Sequence, residues 1–188
     1  MKSREQKGAI LVVSLILLVV LTLLGLSAMQ NTSLEETMAG NLRSENVAFQ
    51  AAEAGLRTGE AWLASRTSKP VADATGSAGV WLLDAPDPTP TDAQPWWRER
   101  NAAWWASTAT TMSDDLKFAR GIGGVGSDQV LATDPSYVVE ERGLVRTSKN
   151  VGRQSDFNGL EYYQVTARGV DMSGRSEVFV RSTFARRY

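Results

Sequence analysis

Hydrophobic and polar positions divide the chain into three stretches. From Ala9 to Met29 only Ser14, Thr22, Gly25 and Ser27 interrupt an apolar run of 21 residues, and no charged residue occurs from Ala9 to Leu34. The hydrocarbon core of a bilayer takes roughly 20 helical residues, so this run predicts a spanning helix. Beyond it the helical pattern goes on. Leu34, Met38 and Leu42 recur every four residues, and Leu42, Phe49, Leu56 and Leu63 every seven. That is an apolar stripe along one helix face, widened by Val47, Ala48, Ala51, Ala52 and Trp62. Glu35–Trp62 holds no Pro and is rich in good helix formers. The pattern predicts one long helix from Ala9 to about Ala64, wholly apolar over 9–34 and amphipathic over 35–64. Its stripe is expected to lie under a globular domain. Gly25 and Gly40 are soft points, and Ser33-Leu34-Glu35-Glu36 fits a capping box at which the helix could restart.

The pattern changes over 65–188, a length that suits one small domain. Ser68–Pro95 carries five prolines with interspersed aspartates and reads as an irregular surface loop. Trp96-Trp97 and Trp104-Trp105 follow, placed on a short helix whose spacing of seven brings Trp97 and Trp104 to one face. These rings are expected to pack the domain onto its long helix, with Trp97 and Trp104 as candidates for a partner surface. Gly121–Gly126 lacks the Lys-Ser/Thr of a phosphate loop and reads as a turn. Alternation with a period of two then predicts strands at Tyr137–Val145, Leu160–Arg168 and Glu177–Phe184, the last two joined by a hairpin over Gly169–Ser176. The fold class is α+β: an antiparallel sheet packed on the carboxyl half of the long helix, with an irregular Pro-rich and Trp-containing insertion.

Composition narrows the chemistry. The 188 residues have a net charge of −1, which argues against a nucleic-acid binder. The chain has neither Cys nor His, which removes thiolate nucleophiles, imidazole acid/base groups and the usual zinc ligands. A hydrolase would have to use carboxylates. Glu140, Glu141 and Glu161 are candidates by residue type only, and charged strand residues are expected to face solvent. The reading is therefore no enzyme, with no catalytic, metal or cofactor site.

The first eight residues, MKSREQKG, hold three cations and one anion, and Glu35 and Glu36 follow the apolar run. That bias predicts a cytoplasmic amino terminus in the inner membrane with the domain outside. Three readings of this segment stand: a secretory signal, a static anchor for a periplasmic sensor or binding module, and a leader cleaved after Gly8 with the helix retained.

The run Met38-Ala39-Gly40-Asn41-Leu42-Arg43, then Ala48-Phe49-Gln50-Ala51-Ala52-Glu53-Ala54, resembles the amino-terminal region of PilX-type minor pilins. With Gly8 and the apolar run, the likeness covers about a third of the chain. Tyr162–Gly169 also resembles pilin strand endings, less specifically. The resemblance implies a type IV pilin-like fold and a leader at 1–8. It also implies cleavage after Gly8 by prepilin peptidase and methylation of Ala9. Val13, Leu42, Phe49, Glu53 and Leu56 become residues of assembly. Implied partners are other minor pilins, the major pilin and a tip adhesin. Two departures stand out. The mature chain would begin with Ala9 rather than an aromatic residue, and its fifth residue would be Val13 where most pilins carry Glu. That carboxylate is thought to pair with the amino terminus of a neighbour already in the fibre. Its absence suits a subunit that needs no predecessor, loaded first and held at the tip. Tip minor pseudopilins of type II secretion share the departure and form the nearest alternative.

Overall fold

The computed structural model describes residues 9–112, 131–146 and 159–188. The leader through Gly8 and the turn at Gly121–Gly126 lie outside the described residues. Helix α1 (Ala9–Ser65) runs without a break, so the capping box at Ser33 starts no new helix. The Thr37 hydroxyl instead donates to the Ser33 carbonyl at 2.9 Å. Ser14, Thr22 and Thr32 likewise donate to Leu11, Val19 and Ala28 at 2.9, 2.8 and 3.1 Å. These hydroxyls are thus satisfied by the helix that carries them, as apolar surroundings demand.

The chain divides into two compact units, Met1–Arg43 and Ser44–Tyr188. In the first, every side chain from Ile10 to Arg43 is exposed. The second consists of the carboxyl part of α1, a sheet, and two short helices. Its strands are β1 (Trp81–Leu82), β2 (Thr110–Thr111), β3 (Ser136–Arg146), β4 (Gly159–Val170) and β5 (Glu177–Arg186). β3, β4 and β5 are antiparallel neighbours, as the alternation predicts, β3 and β4 longer at both ends than the pattern suggests and β5 at its carboxyl end. β2 and β1 share the outer edge of β3: β2 pairs antiparallel through Thr111 and Ser136, β1 parallel through Trp81 and Glu140. The sheet is therefore mixed rather than purely antiparallel. Two-residue strands carry no readable alternation, which is why β1 escapes the sequence pattern inside the Pro-rich loop.

One sheet face packs on α1. Leu56 and Leu63 meet Val80, Tyr137, Val139, Tyr163, Val165 and Ala167, with Trp62, Val180 and Phe184 at the margin. The closest approach uses small residues: Ala48, Ala51 and Ala52 are fully buried, and Gly169 of β4 lies directly against their backbone. Ser182 of β5 donates to Glu60 of α1 at 2.7 Å, and Arg186 donates to the Leu63 carbonyl at the helix end. The expected stripe is only half covered. Leu56 and Leu63 are buried, whereas Leu42 and Phe49 are 61% and 45% exposed. A spacing of seven drifts by about 20° per repeat on a straight helix, and Leu42 belongs to the first unit while Leu56 and Leu63 belong to the second.

The β4–β5 turn is built on Asp171, which is buried. It accepts from the Ser173 hydroxyl at 2.6 Å and from the Arg175 and Ser176 amides at 2.9 and 3.1 Å. Gly174 takes the left-handed conformation of the turn (φ 73°). The Ser173 hydroxyl, then the turn amides and Ser44 of α1, hold the Asp171 carboxyl down at about 2. Its contribution to stability is thus present above the ordinary carboxylate range and is lost as pH falls toward about 2. Asp171→Ala is expected to cost about 2–3 kcal/mol in denaturant unfolding at neutral pH and to remove this acid-limb dependence.

Candidate functional site

Two surfaces carry the functional argument. The first is the exposed apolar side of α1. Val13 is 60% exposed, within a run from Ile10 to Met29 that includes Leu17, Leu21 and Leu24 and contains no charge. Leu34, Met38 and Leu42 are likewise exposed in the first unit, and Phe49 is exposed in the second. Glu53 is half-buried and pairs with Arg57 one turn on, at 3.5 Å. Leu56 is committed to the core of its own subunit. Of the residues assigned to assembly, Val13, Leu42 and Phe49 therefore remain open to a partner helix. Among the described residues α1 is one helix long and apolar enough to cross a membrane.

The second surface is the sheet face away from α1. The chain after β1 forms α2 (Trp96–Glu99) and α3 (Ala102–Ser107), two short helices where the spacing suggests one. Asn101 makes the break, its side chain accepting from the Trp104 amide at 2.9 Å to start α3. Arg100 is turned aside to donate to the Pro86 carbonyl at 2.7 Å. The tryptophans do not pack the domain onto α1. Trp81, Trp96 and Trp105 bury Val138 on the opposite face, with Trp97, Trp104 and Phe179 around them. The alternation that points Val139 at α1 leaves Val138 and Phe179 to be covered on this side, and the insertion covers them. Trp96 stacks on Trp105 at 5.7 Å and meets Trp97 and Trp104 edge-on at 5.8 Å. Each such pair adds about 0.5–1.5 kcal/mol beyond its buried area. Trp97 and Trp104 are only half-buried, so both also reach the surface.

Glu140 lies under this cluster and is 0% exposed, contrary to the expectation that strand charges face solvent. It accepts from the Trp96 indole and the Asp84 amide, each at 3.2 Å, and faces Arg181 of β5 at 3.5 Å. Arg181 also donates to Thr166 at 2.9 Å and lies 3.6 Å over the Trp97 ring. Burial raises the Glu140 carboxyl above the ordinary range, with Arg181 pulling it back down, and the same burial lowers Arg181. No sequence signal separates Glu140 from its neighbour Glu141. Adjacent strand residues point to opposite faces, and Glu141 lies on the α1 side, where Lys69 bridges it and Glu161 at 2.7 and 3.0 Å. The three carboxylates named for hydrolysis are thus divided between two faces and engaged in ion pairs, an arrangement of structural charges.

An exposed apolar helix continuing into an α+β unit whose sheet packs on its carboxyl part is the type IV pilin-like class of fold. Family models match along nearly the whole chain: PilX N-terminal over residues 7–57, and type IV pilus assembly protein PilX C-term over residues 50–186. The chain belongs to the PilX family, minor pilins of the type IV pilus. No curated protein and no solved structure matches it.

Proposed function

We propose that this subunit primes assembly of the type IV pilus and stays at or near the fibre tip. The observation that carries this reading is Val13. In a chain cut after Gly8 it is the fifth mature residue, and α1 offers no carboxylate before Glu35. A carboxylate in an apolar helix bundle is stable only with a partner. A subunit without one has no need of a neighbour loaded before it. Before assembly α1 rests in the inner membrane with its amino terminus cytoplasmic. In the fibre, partner helices replace lipid around Val13 and pack on Leu42 and Phe49 beyond the bilayer, chiefly by close fit. The half-buried rings of Trp97 and Trp104 face other minor pilins or a tip adhesin. No catalysis is needed for this role.

The test joins processing to position. The mature protein is expected to begin at methylated Ala9, read by the mass of its amino-terminal peptide, and to do so only when prepilin peptidase is present. Val13→Glu gives the subunit a need for a predecessor, and most surface fibres should be lost when it is the sole copy, counted by electron microscopy. Val13→Ala should leave the count unchanged. Wild-type fibre numbers with correctly processed Val13→Glu would rule out the tip reading, and an intact Met1 would rule out the export route.

A further inference from the structure

Strands β2, β3 and β4 set three polar side chains in one row. Thr111 pairs with Ser136, and Ser136 with Arg168, and directly opposed residues share a sheet face. Trp105 of α3 and the segment before β3 complete a cavity of about 360 Å³ around this row. Two lining side chains are buried with a polar atom unpartnered: Trp105, 0% exposed, through its indole N–H, and Ser136, 2% exposed, through its hydroxyl. Leaving a buried donor unpaired costs about 1–3 kcal/mol. An indole N–H can only donate, so what completes it must be an acceptor. Arg168, 6% exposed, brings a cation to the same cavity and donates through Nε to Glu177. Asp134 stands at the exposed rim, with an interaction of its own. Leu131 and Ala106 give the cavity an apolar wall, which suits an organic remainder better than an inorganic oxyanion.

We propose that this cavity binds a small organic carboxylate, its oxygens accepting from the Trp105 indole and the Ser136 hydroxyl beside Arg168. The site is independent of tip position and lies on the sheet face away from α1. It is tested on the full chain in detergent micelles with isotope-labelled tryptophan. The indole N–H resonance of Trp105, assigned by its loss in Trp105→Phe, is followed against sodium acetate and D-glucuronate. Methyl glucoside and inorganic phosphate serve as the neutral and inorganic controls. The resonance is expected to move saturably with the carboxylates alone. Ser136→Ala, which deletes an unpartnered hydroxyl and so should fold as well as the parent, is expected to weaken that binding about five- to tenfold. Three results would overturn the proposal: no saturable movement of Trp105, equal movement with either control, or unchanged carboxylate affinity in Ser136→Ala.

Discussion

Gly169→Ala is expected to destabilise the second unit by about 3 kcal/mol, read from denaturant unfolding of the full chain in detergent. A Cβ at Gly169 would lie 2.2 Å from the Ala48 carbonyl oxygen and 2.3 Å from the Ala52 amide nitrogen. Both are helix backbone, held by their own hydrogen bonds, and neither can swing aside as a side chain would. Relief requires β4 to move off α1. β4 is the central partner of β3 and β5, so the shift would be shared by the whole sheet. Gly55→Ala, at the same interface, makes the contrast. Its new Cβ would meet Pro135, Ser136 and Ala167 at 3.5–3.6 Å, ordinary contact distances. Helix propensity should then raise stability by up to about 1 kcal/mol. Equal behaviour of the two variants would mean that the close approach at Gly169 does not hold the helix against the sheet.

Glu140→Ala is expected to cost about 3–5 kcal/mol, because it leaves Arg181 partly buried without its carboxylate. It also leaves the Trp96 indole and the Asp84 amide without their acceptor. Replacing both charges together, as Glu140→Leu with Arg181→Met, should recover most of that loss, since an apolar pair of similar volume requires no desolvation of charge. Failure of the double variant to recover would show that the carboxylate serves as a hydrogen-bond hub rather than as half of an ion pair. The pH dependence follows from the raised carboxyl. In the folded chain Glu140 takes up its proton at higher pH than in the unfolded chain. The cost of its buried charge is therefore present above the folded pKa and is relieved as pH falls through that value toward the ordinary one. Glu140→Gln should flatten the stability profile above the ordinary carboxylate range and leave the Asp171 limb below it in place.

The long helix and three main strands were legible because their periods repeat over enough residues to stand out. The amino-terminal motif was legible as a pattern of polar residues that apolar composition alone would not produce. What stayed hidden depended on contacts between distant segments. Glu140 and Glu141 are identical as neighbours in sequence, and only the sheet sends one under the tryptophans and the other toward Lys69. Leu42 and Leu63 share a stripe, yet only Leu63 is buried in the core of the second unit. The tryptophan pattern predicts packing onto α1, and the structure puts the rings on the other face, because the route of the insertion around β3 leaves no local trace. Gly169 did carry a signal: a glycine inside a strand pattern marks close backbone approach, and here it marks where β4 meets α1. The row of Thr111, Ser136 and Arg168 had none, since its members come from three strands.

The gathering of five of the six tryptophans on one sheet face has an optical consequence. Indoles whose centres lie 5.5–5.9 Å apart couple their electronic transitions and absorb as a group. The folded chain should show an exciton couplet in circular dichroism that vanishes when the cluster disperses. Trp62, on the α1 side, stands apart from that group with Arg66 over its ring, and its emission should follow the helix–sheet contact separately. The two faces of one sheet can then be watched by their own light, without an added dye.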